Sequence, residues 1–167
     1  MAGAYNFENV LAALRIGDHF EVEMDEIIKA IESYLPVNNR SQIIHGNHNL
    51  ILLDAYNANP TIMLMALDNF IECHGKTGLL ILGDMLELGS VSLEEHIKLI
   101  SEIEKTGIHD AILVGPIFSQ VAADKSFTTF QTVEDLRNWL LDHPIQSREI
   151  LIKGSRRIGL ERVVDLL

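Results

Sequence analysis

Five short runs rich in apolar or β-branched residues, at 50–54, 79–82, 111–114, 127–130 and 150–153, are each followed by a longer segment. In the longer segments, at 61–74, 93–105, 117–124, 133–142 and 158–167, apolar residues recur at helical spacing. Runs this short read as strands, and runs without alternation read as strands buried on both faces. Parallel neighbours cannot be joined by a tight hairpin, so the intervening helices must be crossovers. The pattern therefore predicts an α/β fold: a doubly wound, mainly parallel Rossmann-like sheet with helices on both faces. Local signals agree. Pro60 suits the first turn of a helix, where its missing N–H costs nothing. Ser92 with Glu95 is expected to form a capping box, and Thr132 to cap the segment after it. Gly107 is expected to end its helix in a left-handed turn.

The start of the chain reads differently. A helix is predicted over 6–15, with Phe7, Val10, Leu11 and Leu14 on one face, and a second over 25–34, with Ile27, Ile28, Ile31 and Leu35 apolar. Pro36 is expected to stop the second helix, and 37–41 is a polar connector. Two helices without strands cannot bury their own apolar faces. Residues 1–38 are therefore expected to be the helical tail of another unit, and 39–167 an α/β domain. With 167 residues and 47% apolar content, one domain plus an appendage has material for a substantial core.

The formal net charge of −11 argues against nucleic-acid and anionic-membrane partners, which need Lys and Arg to neutralise phosphate. No apolar run approaches bilayer length, and 1–13 shows no charged-then-apolar leader. The single cysteine, Cys73, allows no internal disulfide and fits a reducing cytoplasm. An anionic ligand would need locally placed cations, for which Arg40, Lys153, Arg156 and Arg157 are the candidates.

Unusual polar residues collect at the ends of the predicted strands. The first strand runs into Asp54-Ala55-Tyr56-Asn57-Ala58-Asn59-Pro60, and the second into Gly83-Asp84-Met85-Leu86-Glu87-Leu88-Gly89. The third is followed by Gly115-Pro116 and the last by Lys153-Gly154-Ser155-Arg156. In a parallel sheet all of these fall on the carboxyl edge, where open α/β sheets bind ligands. Asp54 suits a vicinal diol, but equally an acid at a helix N-terminus, and the pattern alone does not choose. Lys153, Ser155 and Arg156 suit a carboxylate or phosphate, while Arg157 reads as surface. Asp84 and Glu87 could orient an amine or magnesium. Without a third ligand, a solvated loop is preferred to a metal site, and no metal ligand is assigned. His45-x-x-His48 also lacks completing ligands and reads as a solvated turn. Gly75-Lys76-Thr77 mimics the end of a P-loop, but Phe70 stands where that loop needs glycine.

Taken together, the motifs resemble the C-terminal part of a Mur ligase, the ATP-dependent amide-forming enzymes of peptidoglycan synthesis. Tyr5-Asn6-Phe7-Glu8-Asn9-Val10-Leu11-Ala12-Ala13 resembles the adenine-side helix that ends the family's central ATPase domain. Asn39-Arg40 resembles the arginine at the junction with the C-terminal domain, though the family often has Gly where Asn39 stands. The segments Asp54 to Pro60, Gly83 to Gly89 with His96, and Lys153 to Arg156 are similar to its later motifs. The resemblance implies a chain holding the tail of the central domain and all of the Rossmann-like one. The P-loop, the magnesium-binding acids and a carbamylated lysine would lie in other parts of such an enzyme, so this chain alone is expected to be inactive.

By the same resemblance, Asn6 and Asn9 would approach the adenine of ATP, Asp54 its ribose, and Asn57 would line that cleft. Arg40 would reach the transferring phosphate when the domains close. Tyr56, Asn59, Asp84, Glu87, His96, Lys153, Ser155 and Arg156 would lie near the incoming substrate or the junction. The implied reaction is acyl-phosphate formation on UDP-N-acetylmuramoyl-tripeptide, then attack by the amine of D-alanyl-D-alanine, with ATP and Mg2+ as cofactors in the cytoplasm. The alternatives are another Mur-type amino-acid ligase domain, or a phospho-acceptor or interaction module of flavodoxin-like fold. A phospho-acceptor module would use Asp54 and Lys153. It also needs a second acidic pair after its first strand, where this chain has His45-Gly46 after Ile43-Ile44.

Overall fold

A computed structural model describes residues 6–34, 38–46 and 48–167. Two helices, α1 (Phe7–His19) and α2 (Met24–Ser33), come first. Then follow β1 (Gln42–His45), β2 (Leu50–Asp54), α3 (Pro60–His74), β3 (Leu79–Gly83), α4 (Ser92–Thr106) and β4 (Ala111–Val114). The chain continues through α5 (Pro116–Val121), β5 (Thr128–Phe130), α6 (Val133–Asp142) and β6 (Glu149–Lys153) into short 3-10 turns. One six-stranded sheet has the order β1-β2-β6-β3-β4-β5. Every neighbouring pair is parallel except β1 with β2.

Successive strand residues supply opposite cores, as the twofold period of a strand dictates. Leu52, Leu80, Leu82, Leu113 and Leu151 pack with Met63, Phe70, Leu99 and Phe118 on the α3–α4–α5 face. Ile51, Leu53, Ile81, Ile112, Ile150 and Ile152 pack with Leu136, Leu140, Leu160 and Val163 on the other. Burial on both faces is why these strands read as unbroken apolar runs. It is the doubly wound architecture predicted from the sequence.

Several local expectations hold. Pro60 opens α3, Thr132 makes a full capping box with Asp135, and Gly107 ends α4 at φ 76°. Three expectations need correction. The sheet has a sixth strand, β1, which is four residues long and hydrogen-bonded as an antiparallel edge. Ser92 does not cap α4: the 3-10 turn Gly89–Val91 runs straight into the helix, so Ser92 already has helical dihedrals. The segment predicted as one helix over 158–167 is instead the 3-10 turns Arg156–Ile158 and Leu160–Leu166, parted by Gly159 at φ 77°. Tyr5, Leu35 and Pro36, which figure in the sequence reading, lie outside the described residues.

The pair α1–α2 belongs to neither core. Gly17 lets the helices approach so closely that a Cβ there would meet Ile27 Cδ1 at 2.6 Å. Yet α1 buries none of its own residues. Phe7, Ile16 and Phe20 are 63%, 60% and 72% exposed. Only Ile27 of α2 is buried within the pair.

Gly115 precedes α5 at φ 129°, and a Cβ there would sit 2.3 Å from Asp84 Cγ. Gly115→Ala should cost about 3 kcal/mol or more, from strain and overlap together. Gly107→Ala, left-handed but meeting only Lys76 at 3.6 Å, should cost about 1–2 kcal/mol. Urea denaturation of the two variants checks the contrast.

Candidate functional site

The parallel register of β2 with β6 places Asp54 beside Lys153 at the carboxyl ends of the two strands. The Lys153 ammonium donates to Asp54 Oδ2 at 2.5 Å and to the Asn57 carbonyl at 3.3 Å. Their side chains are 2% and 14% exposed, so the pair lies almost wholly out of water. Stripping one partner from such a pair leaves an uncompensated buried charge and typically costs about 3–5 kcal/mol. The other carboxylate oxygen, Oδ1, accepts the Ser41 N–H at 3.2 Å.

Ser41 belongs to the connector that carries Arg40. Asn38, Asn39 and Ser41 have φ of 73°, 58° and 46°. Asn tolerates this region better than most residues, which accounts for Asn39 at a position where the resembled family often uses glycine. The Arg40 guanidinium lies over the Tyr56 ring, 3.7 Å from its centroid, and that of Arg156 is 5.2 Å from it. These cations gather at the sheet edge of a chain whose net charge is −11.

Arg40, Asp54, Tyr56, Asn57 and Lys153 line one cleft of about 390 Å³ together with Asn6 and Asn9 from the start of α1. Asn9 Nδ2 donates to Asn6 Oδ1 at 3.2 Å, so the two amides present a joined edge. Seven of the residues singled out in the sequence thus meet in one place. Ser41, Ile62 and Met65 complete the lining and were not anticipated. Ser41 contributes a backbone N–H, which no residue type signals. Ile62 and Met65 sit on the first turns of α3 and read in sequence only as helix-face residues.

The remaining candidates divide differently. Asp84 is fully buried, and its carboxylate accepts the N–H groups of Ile117 and Phe118 at the start of α5, both at 2.9 Å. His96, also fully buried, accepts the Met85 N–H on Nε2 at 3.0 Å, so its Nδ1 carries the proton that binds the Ser92 carbonyl at 2.7 Å. Ser155 Oγ accepts the Leu86 N–H at 2.8 Å, and the Ser155 N–H donates to the Asp84 carbonyl at 3.2 Å. These three side chains fasten the β3–α4 loop from three sides. Glu87 stands exposed on that loop at φ 68°. Asn59 Oδ1 caps α3 through the Ile62 N–H at 3.0 Å. His45 and His48 are exposed. Among the described residues no three His, Cys, Asp or Glu side chains are placed to hold a metal ion.

Burial pushes the His96 imidazole below its ordinary value, against the opposing pull of the Ser92 bond and of Asp84. Burial pushes the Asp84 carboxyl up, against the pull of its two N–H donors. Both nitrogens of His96 are committed as in the neutral ring, so its 3.6 Å approach to Asp84 is not an ion pair. An unfolded chain protonates His96 below about pH 6.5, and the fold resists that proton. The His96 contribution is therefore present above about pH 6.5 and lost as pH falls from there towards the depressed folded value. Asp84, being raised, contributes with the opposite sign in the carboxylate range. Wild-type urea midpoints should fall between pH 7 and pH 5, and His96→Asn should flatten that slope while lowering stability at pH 7. An equal slope in the variant would mean that His96 takes up its proton alike in the folded and unfolded chain, and that its burial does not resist it.

Known proteins bear on this arrangement. The family model described as Mur ligase, glutamate ligase domain, matches residues 39–156. The UDP-N-acetylmuramoyl-tripeptide–D-alanyl-D-alanine ligase of Buchnera aphidicola subsp. Baizongia pistaciae is 32% identical over all of this chain, which spans 37% of that protein. Among solved structures, the UDP-N-acetylmuramoylalanyl-D-glutamyl-2,6-diaminopimelate–D-alanyl-D-alanyl ligase of Acinetobacter baumannii superposes with a TM-score of 0.81 at 28% identity. That superposition covers 98% of this chain and 36% of that one. The MurF ligase of Thermotoga maritima, solved in complex with ADP, is alike in fold with a TM-score of 0.72 at 21% identity, over 95% of this chain and 36% of that one. The family match runs from the connector at Asn39 to Arg156 just beyond β6, and the chain accordingly belongs to the Mur ligase family.

Proposed function

We propose that this chain is the C-terminal part of an ATP-dependent ligase that adds D-alanyl-D-alanine to UDP-N-acetylmuramoyl-tripeptide in cytoplasmic peptidoglycan synthesis. The observation that carries this reading is the shared cleft, in which the α1 amides face Arg40, Asp54 and Tyr56. Residues 1–38 are the tail of a central ATPase domain, and 39–167 are the terminal Rossmann-like domain. The exposed apolar side chains of α1 are consistent with a covering partner in the longer enzyme. No helix among the described residues is long and apolar enough to cross a membrane.

The cleft's donor set suits a nucleoside. Asn6 and Asn9 offer amide edges to adenine, Asp54 offers carboxylate acceptors to the ribose hydroxyls, and Asn57 lies alongside. ATP, when bound, supplies the phosphoryl group that activates the tripeptide carboxylate, with Mg2+ held mainly by other parts of the ligase. Arg40 is the catalytic group of this chain. Its planar fork matches phosphate oxygens, and it acts when closure brings it to the reacting centre. Glu87, Tyr56 and Arg156 lie at the surface the dipeptide approaches, and Asn59 sets the direction of α3 beside it. Asp84, His96 and Ser155 shape the loop bearing Glu87. Positioning and charge neutralisation dominate such a transfer.

In the full-length ligase, Arg40→Ala should lower kcat about 100-fold or more with little change in ATP affinity, because its bonds form only near the transition state. Arg40→Lys keeps the charge, loses the fork and should remain impaired. Steady-state kinetics of the two variants decide the matter, and wild-type turnover by Arg40→Ala removes Arg40 from the site.

Asp54→Asn preserves shape beside Lys153 and should raise the KM for ATP roughly tenfold or more, through a weakened charge-assisted pair of hydrogen bonds. An unchanged KM would exclude the ribose role.

A further inference from the structure

We propose that Lys153 is a positioning residue for Arg40, acting through Asp54 on the backbone of the connector. Arg40 is exposed, and the connector around it has three residues at positive φ. Such a backbone holds one shape only if its surroundings fix it. Among the described residues, two contacts with the end of β2 and the turn after it contribute to this. The Ser41 N–H is held by Asp54 Oδ1, and the Arg40 guanidinium rests on Tyr56.

The first contact depends on Lys153. The Asp54 carboxylate is held from both oxygens, Oδ1 by the Ser41 N–H and Oδ2 by the Lys153 ammonium. The ammonium thereby fixes the direction of Oδ1, while its second bond, to the Asn57 carbonyl, ties in the turn that carries Tyr56. Lys153 itself is 2% exposed, so it has little freedom to follow another partner. Its burial also argues against direct contact with an incoming substrate. The path is short: β6 end, β2 end, connector, Arg40. The ammonium thus sets both the acceptor offered to a ribose and the placement of the arginine. The kinetic part of this inference rests on the ligase reading; the structural part does not.

Two measurements test it. In the 167-residue chain, Lys153→Met should speed hydrogen exchange of the Ser41 amide roughly tenfold through local opening, the worth of one hydrogen bond, while the core amides of Ile51 and Leu80 accelerate only as far as the loss of global stability in urea accounts for and stay slower than Ser41. If Ser41 and the core amides exchange at one common rate, global opening governs both, and the double variant Asp54→Asn/Lys153→Met is compared with Asp54→Asn alone. Faster Ser41 exchange in the double variant than in Asp54→Asn, over a protected core, supports the proposal. Wild-type Ser41 exchange in a folded variant overturns it. In the full-length ligase, Lys153→Met should lower kcat in the wild-type background and lower it no further in an Arg40→Ala background. Additive losses overturn the path through Arg40. Absence of D-alanyl-D-alanine-dependent phosphate release by the wild-type ligase would instead refute the ligase reading, and the exchange rates would then decide the Lys153 proposal alone.

Discussion

The meeting of Asp54 with Lys153 governs this end of the molecule. Neither side chain could be so deeply placed alone, because an isolated buried charge costs several kcal/mol. Parallel pairing of β2 with β6 makes the meeting unavoidable, since their last residues are register partners. Once paired, the two groups still have hydrogen-bonding capacity to satisfy, and the nearest backbone supplies it. The Ser41 N–H comes from before β1, and the Asn57 carbonyl from after β2. A segment that enters the sheet and one that leaves it are drawn to the same ion pair. The antiparallel β1 begins at Gln42, one residue after that anchor.

A second acid at a strand end has a different fate. Asp84 follows β3 as Asp54 ends β2, yet among the described residues no Lys or Arg pairs with it. It is sealed beneath α5, where two N–H groups at the helix start satisfy its oxygens. The positive end of a helix substitutes there for an ammonium. His96 then serves as a neutral acceptor for Met85 rather than as a counter-ion. The outcome is a loop whose inner residues have partners and whose outer residue, Glu87, adopts a left-handed backbone at the surface. Two carboxylates with the same sequence context thus divide into one that faces a cleft and one that is architecture.

The fold was legible because burial on both sheet faces writes itself into the sequence as short unbroken apolar runs, such as Leu79 to Leu82. Strand β1 escaped because it is an edge of four residues with only Ile43 and Ile44 apolar. The closing 3-10 turns escaped because apolar spacing does not distinguish a tight helix from an α-helix over so few residues. In the site, the motif at Asp54 to Asn57 pointed to the cleft, and Arg40 lies there. The roles of Asp84, His96 and Ser155 as internal ties were not legible. A polar residue type states what bonds it can make, but only the packing of α4, α5 and β6 around one loop states with whom. Ser41 was invisible for a plainer reason, since its contribution is an amide that every non-proline residue has.

The exposed apolar face of α1 and the anchored connector belong to one mechanical arrangement. Asn6 and Asn9 line the cleft, and they also border a larger groove of about 710 Å³ between α1 and α2, which Arg40 and Ser41 close at one end. The connector between this helix pair and the sheet carries three positive-φ residues. Asn at 38 and 39 tolerates this backbone at small cost, whereas Ser41 lacks that latitude and is the residue held by Asp54. The strained position is therefore the anchored one. Through Ser41 and its own contact with Tyr56, the arginine is thus fastened to the carboxyl edge of the sheet rather than to α1 and α2, although Asn6 and Asn9 at the start of α1 line the same cleft.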